Sequence, residues 1–232
     1  MYANRFLISM TMNYLVHRIE TSPDWDFAWD GAIWSQAQTA TVDQPAAPLE
    51  APAPITQVRL LHDNTNLYGL FRVQDHSILA RQTKYNSWTC FDSCVECFFR
   101  PRPDSGYFNL EMSASGAHLL YYVRDWTPVG DYYADFTAIP EADGQLFETR
   151  SSLTELVPQE RKCPITWLVQ FKIPMTVAEK YCGPIGALAN QRWTGNFYKC
   201  GDNLNPPHWL AWSPVSSLNF HLPECFGTFI IE

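Results

Sequence analysis

Tyr107–Ser113 reads YFNLEMS. Phe108, Leu110 and Met112 share one parity, and Tyr107, Asn109, Glu111 and Ser113 share the other. A period of two with apolar residues on one side is the pattern of a half-buried strand, because successive side chains point to opposite faces. Stretches of the same kind lie on both sides of it. VECFFR (95–100) precedes it across a turn at 101–106, and AHLLYYV (117–123) follows it across a Ser-Gly turn at 115–116. Earlier, VRLLH and LYGLFRV flank Asp63-Asn64-Thr65-Asn66, residue types that tolerate tight turns, so 58–73 reads as a hairpin. Later, TWLVQFKIP (166–174), TGNFYKC (194–200), HWLAWS (208–213) and GTFII (227–231) read as further strands. PMTVAEKYCG (174–183) reads as a short helix or turn, with Pro at its front and Gly at its end. No stretch sustains a helical period. The expected fold class is therefore all-β: an antiparallel β-sandwich of immunoglobulin or jelly-roll type, with at most short helices.

The remaining segments set the domain organisation. DQPAAPLEAPAP (43–54) holds four prolines and reads as an extended loop within the domain. Residues 124–145 read as a long aromatic loop. The chain of 232 residues is expected to form one domain over 21–232. Residues 1–20 are expected as an N-terminal extension packed as an edge segment, with Met10 or Met12 as an alternative start. No leader is read in the first twenty residues, which lack a clean apolar run and a small-residue cleavage site. Trp25, Trp29 and Trp34 are expected to close one end of the core.

Composition narrows the function. The net charge is −8 and no run of Lys or Arg occurs, so the footprint of a nucleic-acid binder is missing. No apolar run reaches the length of a membrane span. The protein is expected to act as a monomer or weak dimer. Of the nine Trp and eleven Tyr some are expected in the core, and such rings also offer flat faces to ligands.

Seven cysteines raise the question of metal or thiol chemistry, and three of them crowd into WTCFDSCVECFF (88–99). On a strand, Asp92, Cys94, Glu96 and Phe98 share one side while Ser93, Val95, Cys97 and Phe99 share the other. Cys94 and Cys97 thus point apart and cannot hold one ion together. Cys163, Cys182, Cys200 and Cys225 stand isolated. The cysteines read as reduced, buried filler, which leans toward a reducing, cytoplasmic compartment. No metal ligand set is assigned. Trp88, Asp92 and Glu96 are the residues of interest in this stretch.

WTCFDSCVECFFRP, YFNLEMSASG, NFYKCGD, HWLAWSP and FHLPECFG, with the early PDWDFAWDGAIWSQA, resemble carbohydrate-binding module family 9, in its free-standing form rather than the modules attached to xylanases. The resemblance runs from about Trp25 to the C-terminus. It implies a β-sandwich that binds mono- or oligosaccharides of the glucan or xylan type, in the context of polysaccharide catabolism. In this family two Trp faces sandwich a sugar ring, and polar side chains hold its hydroxyls. The first plate corresponds to Trp88 and the family's acid to Glu96. The family's Arg falls near Asn109, a polar residue of a later strand near Tyr198, and the second Trp on Phe220. Characterised family members also carry structural calcium, whose ligands the spacing here does not place. The alternatives are a glycoside hydrolase using Glu96 and Glu111, a haem-binding relative using Met112 and His118, and a scaffold for protein contacts without a sugar site. Trp126 is a further candidate plate or lid, and one of Trp209 and Trp212 is expected in the core with the other exposed.

Overall fold

A computed structural model describes residues 12–232. Two β layers pack face to face. The first contains β3 (Gln44–Pro45), β6 (Cys94–Arg100), β7 (Tyr107–Ser113), β8 (His118–Val129), β9 (Tyr132–Ala138), β12 (Arg192–Gly201), β13 (His208–Ala211) and β14 (Gly227–Ile231). Its main order is β14-β12-β6-β7-β8-β9, with β13 branching from β12 and β3 pairing with β13. The second contains β2 (Thr39–Thr41), β4 (Ile55–His62), β5 (Asn66–Ala80), β10 (Glu148–Ser151) and β11 (Val157–Pro174), in the order β10-β11-β5-β4, with β2 on β4. Two short helices, α1 (Glu141–Gly144) and α2 (Met175–Cys182), complete the regular structure. No helix among the described residues is long and apolar enough to cross a membrane.

The sandwich is mixed rather than strictly antiparallel. β1 (Asn13–Arg18) runs parallel to β14 through Asn13–Val16 and parallel to β4 through His17 and Arg18. It therefore joins the two layers and lies between two strands, although this segment was expected at an edge. Parallel pairing requires long connections between the paired strands, and both partners of β1 are distant in sequence. The rest of the expected extension, residues 1–11, falls outside the described residues.

Alternation builds the core. Val95, Cys97 and Phe99 of β6 and Phe108, Leu110 and Met112 of β7 face inward, against Phe71 and Val73 of β5 and Trp167, Val169 and Phe171 of β11. The Phe71 and Phe197 rings meet edge to face at 6.1 Å between the layers. The 58–73 hairpin forms as expected. Its turn is held by Asp63, whose Oδ1 accepts the backbone N–H of Thr65 at 2.9 Å and of Asn66 at 2.7 Å. Trp29 and Trp34 do not close an end of this core. They form a separate cluster with Leu61, Tyr68 and Leu70 on the outer face of the second layer.

Residues 124–145 are not a loop. β8 extends to Val129 and pairs with β9, and α1 follows. Arg124 to Val129 are mostly exposed, so the burial that would have imposed an alternating pattern is missing.

Gly69 on β5 lies under the Phe171 ring, where an added Cβ would stand 2.0 Å from a ring carbon. Gly69→Ala is expected to lower stability by about 1–3 kcal/mol, since Phe171 is fully buried and has nowhere to move. Urea denaturation reads the change, and a loss near zero would mean that the two layers slide apart at little cost.

Candidate functional site

The outer face of the first layer is a second, smaller apolar patch built from Phe98, Tyr107, Tyr121, Val123 and Tyr198. Above one end of it opens a pocket of about 250 Å³. Its floor comes from strand residues and its walls from loops together with Tyr133 of β9 and Trp209 of β13.

The floor follows from register. Glu96 of β6 stands opposite Glu111 of β7 on one side and opposite Tyr198 of β12 on the other. Both glutamates line the pocket. The Glu111 carboxylate accepts from Thr89 Oγ1 at 3.1 Å and from Asn109 Nδ2 at 3.1 Å. Glu96 Oε1 accepts from the Cys200 thiol at 3.2 Å. Burial pushes the Glu111 carboxyl up to about 7. Burial, and then the Glu111 charge beside it, holds Glu96 well above the usual carboxylate range. Asp202, at the pocket edge, is also raised by burial, against the pull of a hydrogen bond from Trp209 Nε1 at 2.7 Å.

The walls are aromatic. Trp88 is 40 % exposed and enters from the loop before β6, with Phe91 stacked 6.0 Å away and Tyr132 at 5.8 Å. Phe220 lies flat on Tyr198, ring centroids 4.1 Å apart and 12° from parallel. His221 sits between the Tyr107 and Tyr133 hydroxyls, 2.7 Å from each, and burial pushes its imidazole down to about 3, so the ring is neutral. Phe220, His221, Tyr133 and Trp209 all reach the pocket lining.

Of the five residues expected to touch ligand, Trp88, Glu96 and Phe220 come together in this pocket. Asn109 and Tyr198 are fully buried behind it. Asn109 positions Glu111, and Tyr198 supports Phe220 through its ring and by donating its hydroxyl to the Phe220 carbonyl at 2.9 Å. Trp126 packs against Tyr107 and does not line the pocket. Trp212 is in the core while Trp209 reaches the pocket.

Sequence reasoning missed some pocket residues, such as His221, and named others in a different role, Glu111 only as the partner of Glu96 in a hydrolase. Glu111 has the right parity, but its role depends on β6 and β7 being neighbours. Asp202 and His221 come from loops, where no periodicity signals direction, and Trp209 stands on β13, where parity left open which of Trp209 and Trp212 faces outward. Met112 faces the core, and both ring nitrogens of His118 are engaged, Nδ1 with Thr149 Oγ1 at 2.9 Å and Nε2 with the Gly144 carbonyl at 3.1 Å. That pair is not arranged to hold haem. The only gathering of three or more His, Cys, Asp or Glu ligand atoms among the described residues is Cys94, Glu96 and Cys200. Two thiols do not suit calcium, which takes six to eight oxygens.

The profile of carbohydrate-binding family 9 matches residues 34–231. No curated protein sequence matches the chain. Among solved structures, a candidate carbohydrate-binding protein from Bacteroides uniformis is similar, with TM-score 0.83 and 24 % identity over 96 % of this chain and all of that one. A family 9 module from Caldicellulosiruptor kristjanssonii, solved with glucose, has TM-score 0.57 and 16 % identity over 95 % of this chain and 96 % of that one. The same organism's family 9 module with cellotriose gives 0.58 and 15 %, over 95 % and 94 %. At these identities the structural likeness establishes the shared fold.

Proposed function

The chain belongs to carbohydrate-binding family 9, and from that premise we propose that the pocket beside Trp88 binds one pyranose ring of a glucan- or xylan-type sugar without cleaving it. A sugar ring has apolar C–H faces and hydroxylated edges. It is held by flat aromatic surfaces together with a few fixed polar groups. The observation that carries this reading is the convergence of Trp88, Phe220 and Glu96 on one open pocket of about 250 Å³. That volume lies just below the roughly 300–1,000 Å³ of sites for drug-sized ligands, which suits a single ring. The sugar complexes of the Caldicellulosiruptor modules support a glucose or cello-oligosaccharide ligand.

The chemistry is adsorption. Trp88 and Phe220 cover the ring faces. Glu96, Glu111 and Asp202 offer carboxyl oxygens to hydroxyl donors, and the protonated fraction of the raised pair also donates. Glu96 and Glu111 rise side by side from one sheet face. A glycosidase instead places its two carboxyls on either side of the bond it breaks.

Calorimetric titration with glucose, xylose, cellobiose and cellotriose tests the proposal. Trp88→Ala is expected to weaken the best ligand by at least about tenfold, or 1.4 kcal/mol. Trp88 is 40 % exposed, so its truncation is expected to cost less stability than loss of a core Trp. Absence of heat with all four sugars in the unmutated protein would remove the reading.

A further inference from the structure

We propose that Cys94, Glu96 and Cys200 bind one thiophilic cation of the zinc type at the floor of the pocket, with a fourth coordination position open to the ligand space. Cys94 and Cys97 point to opposite faces, which argues against a site within β6 alone. The partner for Cys94 comes from β12 instead: Cys200 stands directly opposite it in register. Glu96, two residues along β6, shares their face. One ligand atom from each of the three lies within 4.8 Å of the others.

Tetrahedral zinc, with bonds of about 2.3 Å to sulfur and 2.0–2.2 Å to carboxylate oxygen, spaces its ligand atoms by roughly 3.4–3.8 Å. Side-chain rotations of about 1 Å close the difference while the strands stay in place. Two thiolates select a soft ion over calcium or magnesium. Each thiol, and the Glu96 carboxyl where it is protonated, releases its proton to solvent on binding, and no electron changes hands.

The surroundings independently call for a cation. Glu96 is 3 % exposed, and its carboxyl accepts from a thiol, a weak donor. The pocket lining contains three acids and no Lys or Arg, and a buried carboxylate without a strong partner is costly. Three protein ligands beside an open pocket make the arrangement of exchangeable zinc sites, in which water or a ligand oxygen takes the fourth place. Glu96 and Cys200 both reach the pocket surface, which provides the entry path.

The test is titration of the reduced, metal-stripped protein with Cd²⁺, followed by thiolate-to-metal charge-transfer absorbance, and then displacement by Zn²⁺. The expected result is saturation at one equivalent, with the band abolished in Cys94→Ser/Cys200→Ser and unchanged in Cys163→Ser. Glu96→Gln keeps both thiols and is expected to keep the band while weakening affinity by about tenfold or more. It therefore reports on the site even if the double variant folds poorly. No band in the unmutated protein, or a band of undiminished size in the double variant, overturns the proposal. Either outcome leaves the sugar reading standing, because Trp88→Ala tests that without any metal.

Discussion

Asp92→Ala is expected to lower folding stability by about 3–5 kcal/mol. Asp92 is fully buried. Its Oδ2 accepts the backbone N–H of Arg81 and of Gln82, each at 2.9 Å, and the Ser113 hydroxyl at 2.7 Å. These bonds tie the chain just after β5 to the start of β6 and the end of β7. Hydrogen bonds to a charged group contribute about 1.5–3 kcal/mol each, and truncation leaves two part-buried amide donors without their partner. The Arg81 guanidinium at 3.7 Å is partly in solvent and adds little. For a domain of this size the loss corresponds to a fall in Tm of roughly 6–20 °C. The loop that Asp92 anchors carries Trp88 and Thr89, so glucose affinity is expected to fall as well, although Asp92 does not line the pocket. Asp92→Asn retains an acceptor and should recover part of both losses. A cost below about 1 kcal/mol in chemical denaturation with an unchanged slope would show that the amides find water instead.

Asp92 also shows what was legible in the sequence and what was not. Parity placed Cys94, Glu96 and Phe98 on one face of their strand and Val95, Cys97 and Phe99 on the other, and the inward set is in the core. That inference needs only the geometry of an extended chain. It did not reveal that Asp92 caps three backbone segments, because Arg81 and Ser113 are distant in sequence. Nor did it pair Cys94 with Cys200, and it joined Glu96 to Glu111 only as a hydrolase alternative, since strand adjacency is a property of the whole sheet. The β8–β9 hairpin escaped because both its faces meet solvent along much of its length, which removes the alternating signal. β1 escaped for the opposite reason: it is short, its residues mix apolar and polar types, and its parallel partners lie at the other end of the chain and beyond a proline-rich stretch. The aromatic rings of the pocket were individually visible. Their convergence depends on loop paths that local rules leave open.

Glu111→Gln is expected to stabilise the protein at pH 8 and to leave it nearly unchanged at pH 5. In the unfolded chain this carboxyl titrates near 4.5, and in the folded protein burial moves it up to about 7. Between those values the folded state holds the extra proton, so unfolding releases it and stability falls as pH rises. The stabilisation is fully present below pH 4.5 and is lost by the time pH passes 7. A shift of this size corresponds to a penalty on the order of 3 kcal/mol at alkaline pH, which a neutral amide of the same shape escapes. His208 and His221 act with the opposite slope. Burial, together with Lys199 in the case of His208, lowers them to about 2 and 3, so they cost stability as pH falls below 6.5. Both are present in each protein and cancel in the difference between wild type and variant. Thermal unfolding of the two proteins from pH 5 to 8 therefore reads Glu111 together with the Glu96 titration that its charge raises. Parallel curves would mean that water reaches Glu111 and its carboxyl titrates normally. The same substitution separates stability from binding. The amide relieves the charge that Glu111 imposes on Glu96 but takes away a carboxylate acceptor from the pocket floor. The variant is thus expected to be the more stable protein and the weaker sugar binder at pH 8.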